Sequence, residues 1–221
     1  MRAGLFGGTF NPIHNGHLMV AEQVLGRFYM DRLYFIPCRV PPHKSPAYLA
    51  PAADRVRMIR MALPTDDRYR LSEIEIRRRG LSYTIDTVAH FASAIVPGAS
   101  LFLLMGMDAF LEIHTWKRFR ELLEQVQPVV VTRLLEGQTL TGDDAARMDA
   151  YIHSHLSDGY VSTGEKTGWR HPGGSRIHLL RVAPLAVSSS QVRRRILAGK
   201  AVDRLVPVPV KAYIDEKELY R

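Results

Sequence analysis

RAGLFGGTFNPIHNGHLMVAEQVL (residues 2–25) runs from a short apolar stretch, through a Gly-Gly pair and two histidines three apart, into a segment of helical periodicity. The stretch ending at Gly7 and Gly8 predicts a short buried strand. Leu18, Ala21, Val24, Leu25 and Phe28 then recur at helical spacing, which predicts a helix over residues 16–29. Glycines just past a strand let backbone approach a ligand and leave amides free to point at it. His17 falls in the first turn of the expected helix and His14 just before it. A helix start offers unpaired N–H groups and partial positive charge, and two imidazoles add directional donors, so a phosphate fits there. The stretch has neither Gly-Lys-Ser/Thr nor Gly-x-Gly-x-x-Gly. Two other readings stay open: polar turn residues, or half of a zinc site with no nearby Cys or carboxylate to complete it.

The same alternation continues along the chain. Strands are expected over residues 31–38, 69–78, 99–106, 128–133 and 176–182. Helices are expected over 52–63, 83–95, 118–126, 142–156 and 188–199, with a short one over 209–219. Ser82 or Thr84 is the expected cap of the helix at 83–95. Residues 39–51 are punctuated by prolines and 164–175 by glycines, and both are expected to be loops. The run ASLFLLMG has the continuous apolar character of a strand covered on both faces. The expected fold class is therefore α/β: a Rossmann-like, doubly wound parallel sheet with helices on both faces. Ligands of such sheets bind beyond the carboxyl ends of the strands, so the loops after strands carry the information.

The 221 residues fit a single domain, 1–221, with residues 135–175 as an insertion-like segment. Hydrophobic residues make up 46% of the chain and charged residues 24%, enough for a core without staples. Cys38 is the only cysteine, which excludes an internal disulfide and fits a reducing compartment. The chain enters AGLFGG almost at once, so no secretory signal is expected, and no run approaches a membrane span. A cytoplasmic protein with no membrane partner is the expectation. The net charge of +8 suits either a nucleic-acid surface, a cleft for small polyanions, or solubility charge spread over helix faces.

Four further post-strand loops hold chemistry. In IPCRVPPHKSP, Pro41 and Pro42 stiffen a loop that presents His43 and Lys44, a sensible anion contact or simply an exposed basic loop. Tyr83 and Thr84 sit at a strand-to-helix join. In LLMGMDAFLEIHTWKRF, Gly106 ends a strand and Asp108 can accept bonds from ribose hydroxyls, while Trp116 can stack on a ring or seal a helix against the sheet. In PLAVSSSQVRRRILAG, Ser188, Ser189 and Ser190 suit an N-cap but equally a phosphate cradle. Arg193, read as lying in the first turn, opposes the helix dipole, and that conflict hints at function.

Taken together these stretches resemble the nicotinate-nucleotide adenylyltransferase family of the H-x-G-H nucleotidyltransferase superfamily. GGTFNPIHNGHL matches its opening motif, with Asn11 where many members have Asp; a capping acceptor is supplied by either. PPHK, SYT, Gly-x-Asp and TW stand unchanged, and residues 187–193 align with ISSTxIR with Ser190 for Thr. The resemblance spans nearly the whole chain. It implies transfer of the adenylyl group of ATP to nicotinate mononucleotide, with Mg²⁺ on the ATP. It implies catalytic roles for His14, His17, Lys44 and Arg193. It places Gly7, Gly8, Thr9, Phe10, His14, His17, Gly106, Asp108, Ser188, Ser189, Ser190 and Arg193 at ATP. It places His43, Lys44, Tyr83, Thr84 and Trp116 at the second substrate, and residues 187–221 as helices closing the ATP site. Enzymes acting on pantetheine, choline or glycerol phosphates share H-x-G-H but not this motif set, and no Lys-Met-Ser-Lys-Ser-like loop points to an aminoacyl-tRNA synthetase. No aromatic-rich strand motif or zinc-finger spacing supports a nucleic-acid partner.

Overall fold

Strand alternation decides the architecture, because each central strand buries both of its faces. The computed structural model describes residues 1–39, 49–133, 143–163, 167–182 and 187–221. Chain order is β1 (Arg2–Gly8), α1 (Asn15–Arg27), β2 (Arg32–Pro37), α2 (Ala52–Ala62), β3 (Tyr69–Leu71), α3 (Ile74–Arg77), α4 (Thr84–His90), β4 (Ser100–Gly106), α5 (Met107–Phe110), α6 (Phe119–Gln125) and β5 (Val126–Arg133). Then follow α7 (Asp143–Tyr151), β6 (Val161–Ser162), β7 (Gly168–Arg170), β8 (Arg176–Val182), α8 (Ser189–Leu197) and α9 (Val208–Glu216). Both α4 and α7 run on into a wider π-helical turn, at Phe91–Ile95 and Ile152–Leu156.

The described strands form one sheet in the order β3-β2-β1-β4-β5-β8-β7-β6. The pairings from β3 to β8 are parallel, and β6, β7 and β8 continue antiparallel. On β4, Leu101, Leu103 and Met105 face Ile85, Val88 and Phe91 of the α4 segment and Leu122 and Leu123 of α6. The alternate residues Phe102 and Leu104 face Val20, Ala21 and Val24 of α1, Met58 and Ile59 of α2 and Val192 of α8. Two apolar layers on opposite faces make the sheet doubly wound, as the continuous apolar runs predict. The direction of strand addition reverses between β1 and β4, whose carboxyl ends lie side by side with Phe6 opposite Leu104. That reversal is the switch point where such sheets bind ligands.

Three local expectations fail. Residues 69–78 alternate like a strand, but β3 stops at Leu71 and Ile74–Arg77 turn helical. Leu71 pairs with Phe35, and Pro37, with no N–H to extend the ladder, closes β2 two residues on, so Ile74 and the residues after it face no partner strand. Neither Ser82 nor Thr84 caps α4; Tyr83 holds the N-cap position without a side-chain bond. The glycine-rich stretch 164–175, of which 164–166 lie outside the described residues, is not all loop. It contains β7, where Trp169 is buried and its indole N–H donates to Asp149 Oδ1 at 2.7 Å, tying the hairpin to α7. A turn at Pro172–Gly174, with Gly174 at φ +97°, joins β7 to β8.

His178 on β8 is packed against Phe28 and Phe102, with ring centroids 5.2 and 6.2 Å away, and its Nε2 lies 3.0 Å from Gln127 Oε1. Burial, with Arg176 and Arg2 adding to it, pulls its pKa from 6.5 down to about 4. Between those values the unfolded chain takes up a proton that the folded chain refuses. The stability this group contributes is therefore complete above pH 6.5 and lost as pH falls toward 4. Replacing His178 by Gln should flatten that part of the profile. Urea midpoints of the two proteins across this range measure it, and equal slopes would mean that His178 titrates normally in the fold.

Candidate active site

Between β1 and α1 the chain is buried while lacking sheet partners, so its polar backbone must be satisfied by side chains. Phe10, Asn11 and His14 are all buried. Phe10 takes φ +48°, a left-handed conformation that costs a bulky residue about 1–3 kcal/mol and persists only where its surroundings enforce it. The enforcement is visible. The Arg55 guanidinium donates to the Thr9 carbonyl at 2.8 Å on one side. On the other, the Asn11 carbonyl accepts from Arg193 Nη1 at 2.8 Å, and Asn11 Oδ1 accepts from the Ala50 N–H at 3.0 Å and the Tyr220 hydroxyl at 2.8 Å. Ser189 Oγ donates to the Pro12 carbonyl at 2.9 Å. Burial pushes the Tyr220 phenol well above its ordinary pKa, so it stays protonated and remains the donor.

The two histidines sit where the sequence reading puts them. His14 is the N-cap of α1 and His17 its third residue. The His14 backbone N–H donates to His17 Nδ1 at 3.2 Å. With Nδ1 accepting, a neutral His17 carries its proton on Nε2 and offers that N–H as a donor. The imidazoles stack with centroids 3.7 Å apart, and the Phe10 ring lies edge-on to His17 at 5.0 Å. A side chain at Gly16 would come within 2.9 Å of Val187 Cγ1, so the glycine lets α1 and the start of α8 approach.

At α8 the three serines are all engaged. Ser188 is the N-cap, its Oγ accepting from the Gln191 N–H at 3.1 Å, while Ser190 Oγ accepts from Arg193 Nη2 at 3.3 Å. Arg193 is the fifth helical residue rather than one of the first turn, so its conflict with the dipole is weaker than the sequence suggests. Its reach to the Asn11 carbonyl explains its presence without a solvent role. Gly106, the exposed last residue of β4, is the N-cap of α5, and Asp108 is exposed in the first turn of that helix. Gly7 and Gly8 end the neighbouring β1.

A second group gathers around Tyr83. Its ring is half exposed, and Lys117 Nζ lies 4.3 Å from its centroid and 3.3 Å from Asp86 Oδ2. Thr84 opens α4, and Trp116, next to Lys117, packs partly buried against the core. The structure thus brings residues 9–17 to the start of α8 at the β1 exit, and Tyr83 to the Trp116–Lys117 turn. His43 and Lys44 lie outside the described residues. Sequence reasoning missed Arg55 and Tyr220; each holds backbone or side chain far along the chain, and no local motif marks them. Among the described residues no cluster of three His, Cys, Asp or Glu could hold a metal ion.

The chain matches the cytidylyltransferase-like family over residues 5–195. It is 38% identical over 220 residues to a probable nicotinate-nucleotide adenylyltransferase of Pelobacter propionicus, covering 100% of this chain and 98% of that protein. To one of Desulfatibacillum aliphaticivorans it is 36% identical over 222 residues, covering both chains completely. The fold is shared with the Plasmodium falciparum nicotinic acid mononucleotide adenylyltransferase in complex with NaAD, at a TM-score of 0.71 and 16% identity over 99% of this chain and 97% of that one. Motifs in order after successive strands, a shared sheet and full-length similarity agree: this chain belongs to the nicotinate-nucleotide adenylyltransferases of the cytidylyltransferase-like family.

Proposed function

We propose that the protein transfers the adenylyl group of ATP to nicotinate mononucleotide, releasing pyrophosphate and forming nicotinate adenine dinucleotide, a step of NAD biosynthesis. The observation that carries this is the stacked His14–His17 pair at the start of α1, beside the β1/β4 switch point, in a chain similar to such enzymes along its whole length. The chemistry suits the residues. The attacking phosphate monoester has a second pKa of about 6 and is already an anion at neutral pH, so no strong general base is required. The difficulty is to bring two polyanions together in line and to stabilise charge on the transferring group, which calls for N–H donors and cations.

In this reading the glycine exit of β1 (Gly7, Gly8), Thr9, Phe10 and the start of α1 receive the ATP phosphates. His14 and His17 donate to charge developing on them, the Nε2–H of His17 foremost. Asp108 with Gly106 takes the adenosine ribose. Ser188, Ser189, Ser190 and Arg193 border the phosphates from α8, residues 187–221 closing that side of a single domain. Tyr83, Thr84 and Trp116 take the pyridine nucleotide, Trp116 stacking on its ring, and His43 and Lys44 lie between the substrates. Mg²⁺ would enter on the ATP oxygens as part of that substrate, where it supplies charge neutralisation. No described helix is long and apolar enough to cross a membrane, which suits a cytoplasmic place of action.

Three outcomes test this. Purified protein with Mg²⁺ and ATP should release pyrophosphate on addition of nicotinate mononucleotide and far less with the nicotinamide form; no release with either would sink the assignment. His17→Ala should lower kcat by about 10²-fold or more with little change in ATP binding, as for removal of a donor to transition-state charge; near-normal turnover would take His17 out of the mechanism. Asn11→Asp keeps the oxygen that accepts from Ala50 and Tyr220 and should retain activity, whereas Asn11→Leu leaves those donors unsatisfied and should cost about 1–3 kcal/mol in chemical denaturation.

A further inference from the structure

The Arg55 side chain has no solvent exposure, yet among the described residues it makes no ion pair. Its partners are four backbone carbonyls: Thr9 and Cys38 from Nη1, both at 2.8 Å, Arg39 from Nη2 at 2.9 Å, and Ala50 from Nε at 3.1 Å. They belong to the exit of β1, the exit of β2 and the approach to α2. A guanidinium is planar and its five donors form a rigid fork, so these three pieces of chain are fixed against one plane. The Thr9 carbonyl it grips precedes Phe10, whose left-handed backbone sets the direction of the chain toward His14 and whose ring abuts His17. Tyr220 and Ala50 hold Asn11, on the other side of Phe10.

We infer that Arg55 is a positioning residue for the transfer reaction: through the Thr9 carbonyl it sets residues 9–17, and with them the Nε2–H of His17, in the geometry that meets the transferring phosphate. The inference rests on the proposed adenylyl transfer. It differs from a stability role in what it demands of the side chain. A weld between loops needs only to hold the fold, whereas a positioning group needs the fork. Lysine keeps the charge but concentrates its three donors on one atom, so it cannot reproduce bonds that leave Nε, Nη1 and Nη2 for carbonyls on three segments. Because its four partners are neutral, the Arg55 charge is not cancelled by a carboxylate and adds to the field of a loop that would receive polyphosphate.

The test compares wild type with Arg55→Lys, Arg55→Met and Tyr220→Phe in the full chain, assayed well below each unfolding midpoint so that every protein is folded. Arg55→Lys should lose kcat by about tenfold or more, with KM for the mononucleotide changed by less than about threefold, since a small misplacement of the loop affects the transition state most. Arg55→Met should lose more. Tyr220→Phe, which loosens Asn11 from the opposite side, should move kcat in the same direction by less. Nitrogen-15 NMR of the histidine rings gives a readout independent of turnover. Wild-type His17 should show the Nε2–H tautomer, and Arg55→Lys should show a mixture as the bond to Nδ1 is lost. Folded Arg55 variants with kcat within about twofold of wild type and an unchanged His17 tautomer would overturn the inference. Should Arg55→Met not fold, Arg55→Lys and Tyr220→Phe decide it. Should wild type release no pyrophosphate, the proposed reaction fails, and the tautomer comparison still decides whether Arg55 sets the loop.

Discussion

The site depends on satisfying backbone that has left the sheet. Residues 9–14 are mostly buried, yet they belong to neither β1 nor α1, so their carbonyls have no ladder to join. An unpaired buried carbonyl costs about 1–3 kcal/mol, and the chain meets this requirement with side chains drawn from α2 and α8: Arg55 for Thr9, Arg193 for Asn11 and Ser189 for Pro12. The same bonds that prevent that cost also fix the direction in which α1 begins. Anion-binding geometry at the helix start and the integrity of the loop therefore share one set of interactions.

This sharing explains what the sequence could and could not reveal. The strands β1, β2, β4, β5 and β8 are buried on both faces and show as apolar runs, so the doubly wound sheet was legible. His14 and His17 were legible because their positions depend only on where α1 starts, which periodicity reveals. Arg55 was not, because an arginine on a helix of mixed polarity resembles any solvated cation; only the tertiary fold turns it inward toward four carbonyls. Tyr220 lies 209 residues from the Asn11 side chain it binds, beyond the reach of any local pattern. The end of β3 was misread for a related reason: alternation persists through Ile74 and Ile76, but β2 runs only to Pro37, two residues past the Phe35–Leu71 pair, so those positions face no partner strand. The antiparallel hairpin was obscured by its brevity, since the three residues of β7 are too few to show a period. A Pro-Gly-Gly turn beside a lone tryptophan was the available signal.

The excess of positive charge also takes on a definite meaning. Several arginines that raise the net charge are engaged within the protein. Arg55 and Arg193 bond backbone carbonyls; Arg60, Arg68, Arg70 and Arg118 face Glu73, Asp66, Asp67 and Glu121 in surface pairs that add little to stability. The two kinds are not equivalent. Surface pairs are neutralised locally and screened by salt, so they contribute little field at a distance. Arg55 is bound to neutral acceptors and has no solvent exposure beside residues 9–10, whereas Arg193 is only partly buried and bonds the neutral Asn11 carbonyl and Ser190 hydroxyl.

Asn11 illustrates how this arrangement narrows the choice of residue. Its side-chain oxygen accepts from a main-chain N–H and from a phenol, while its own carbonyl accepts from Arg193. What the position demands is an acceptor oxygen, and asparagine and aspartate both provide one. A carboxylate there would be buried beside two guanidinium groups, one bonded to the Thr9 carbonyl and one to the carbonyl of residue 11 itself, and those cations favour its charged form. It would also cancel part of the positive field at the loop. Asparagine supplies the same acceptor and leaves that field intact, so the substitution changes the electrostatics facing a bound anion rather than the shape of the loop. The position tunes charge at the site while the acceptor bonds preserve the fold, because the backbone bonds from Arg55 and Arg193 hold the loop whichever of the two side chains stands there.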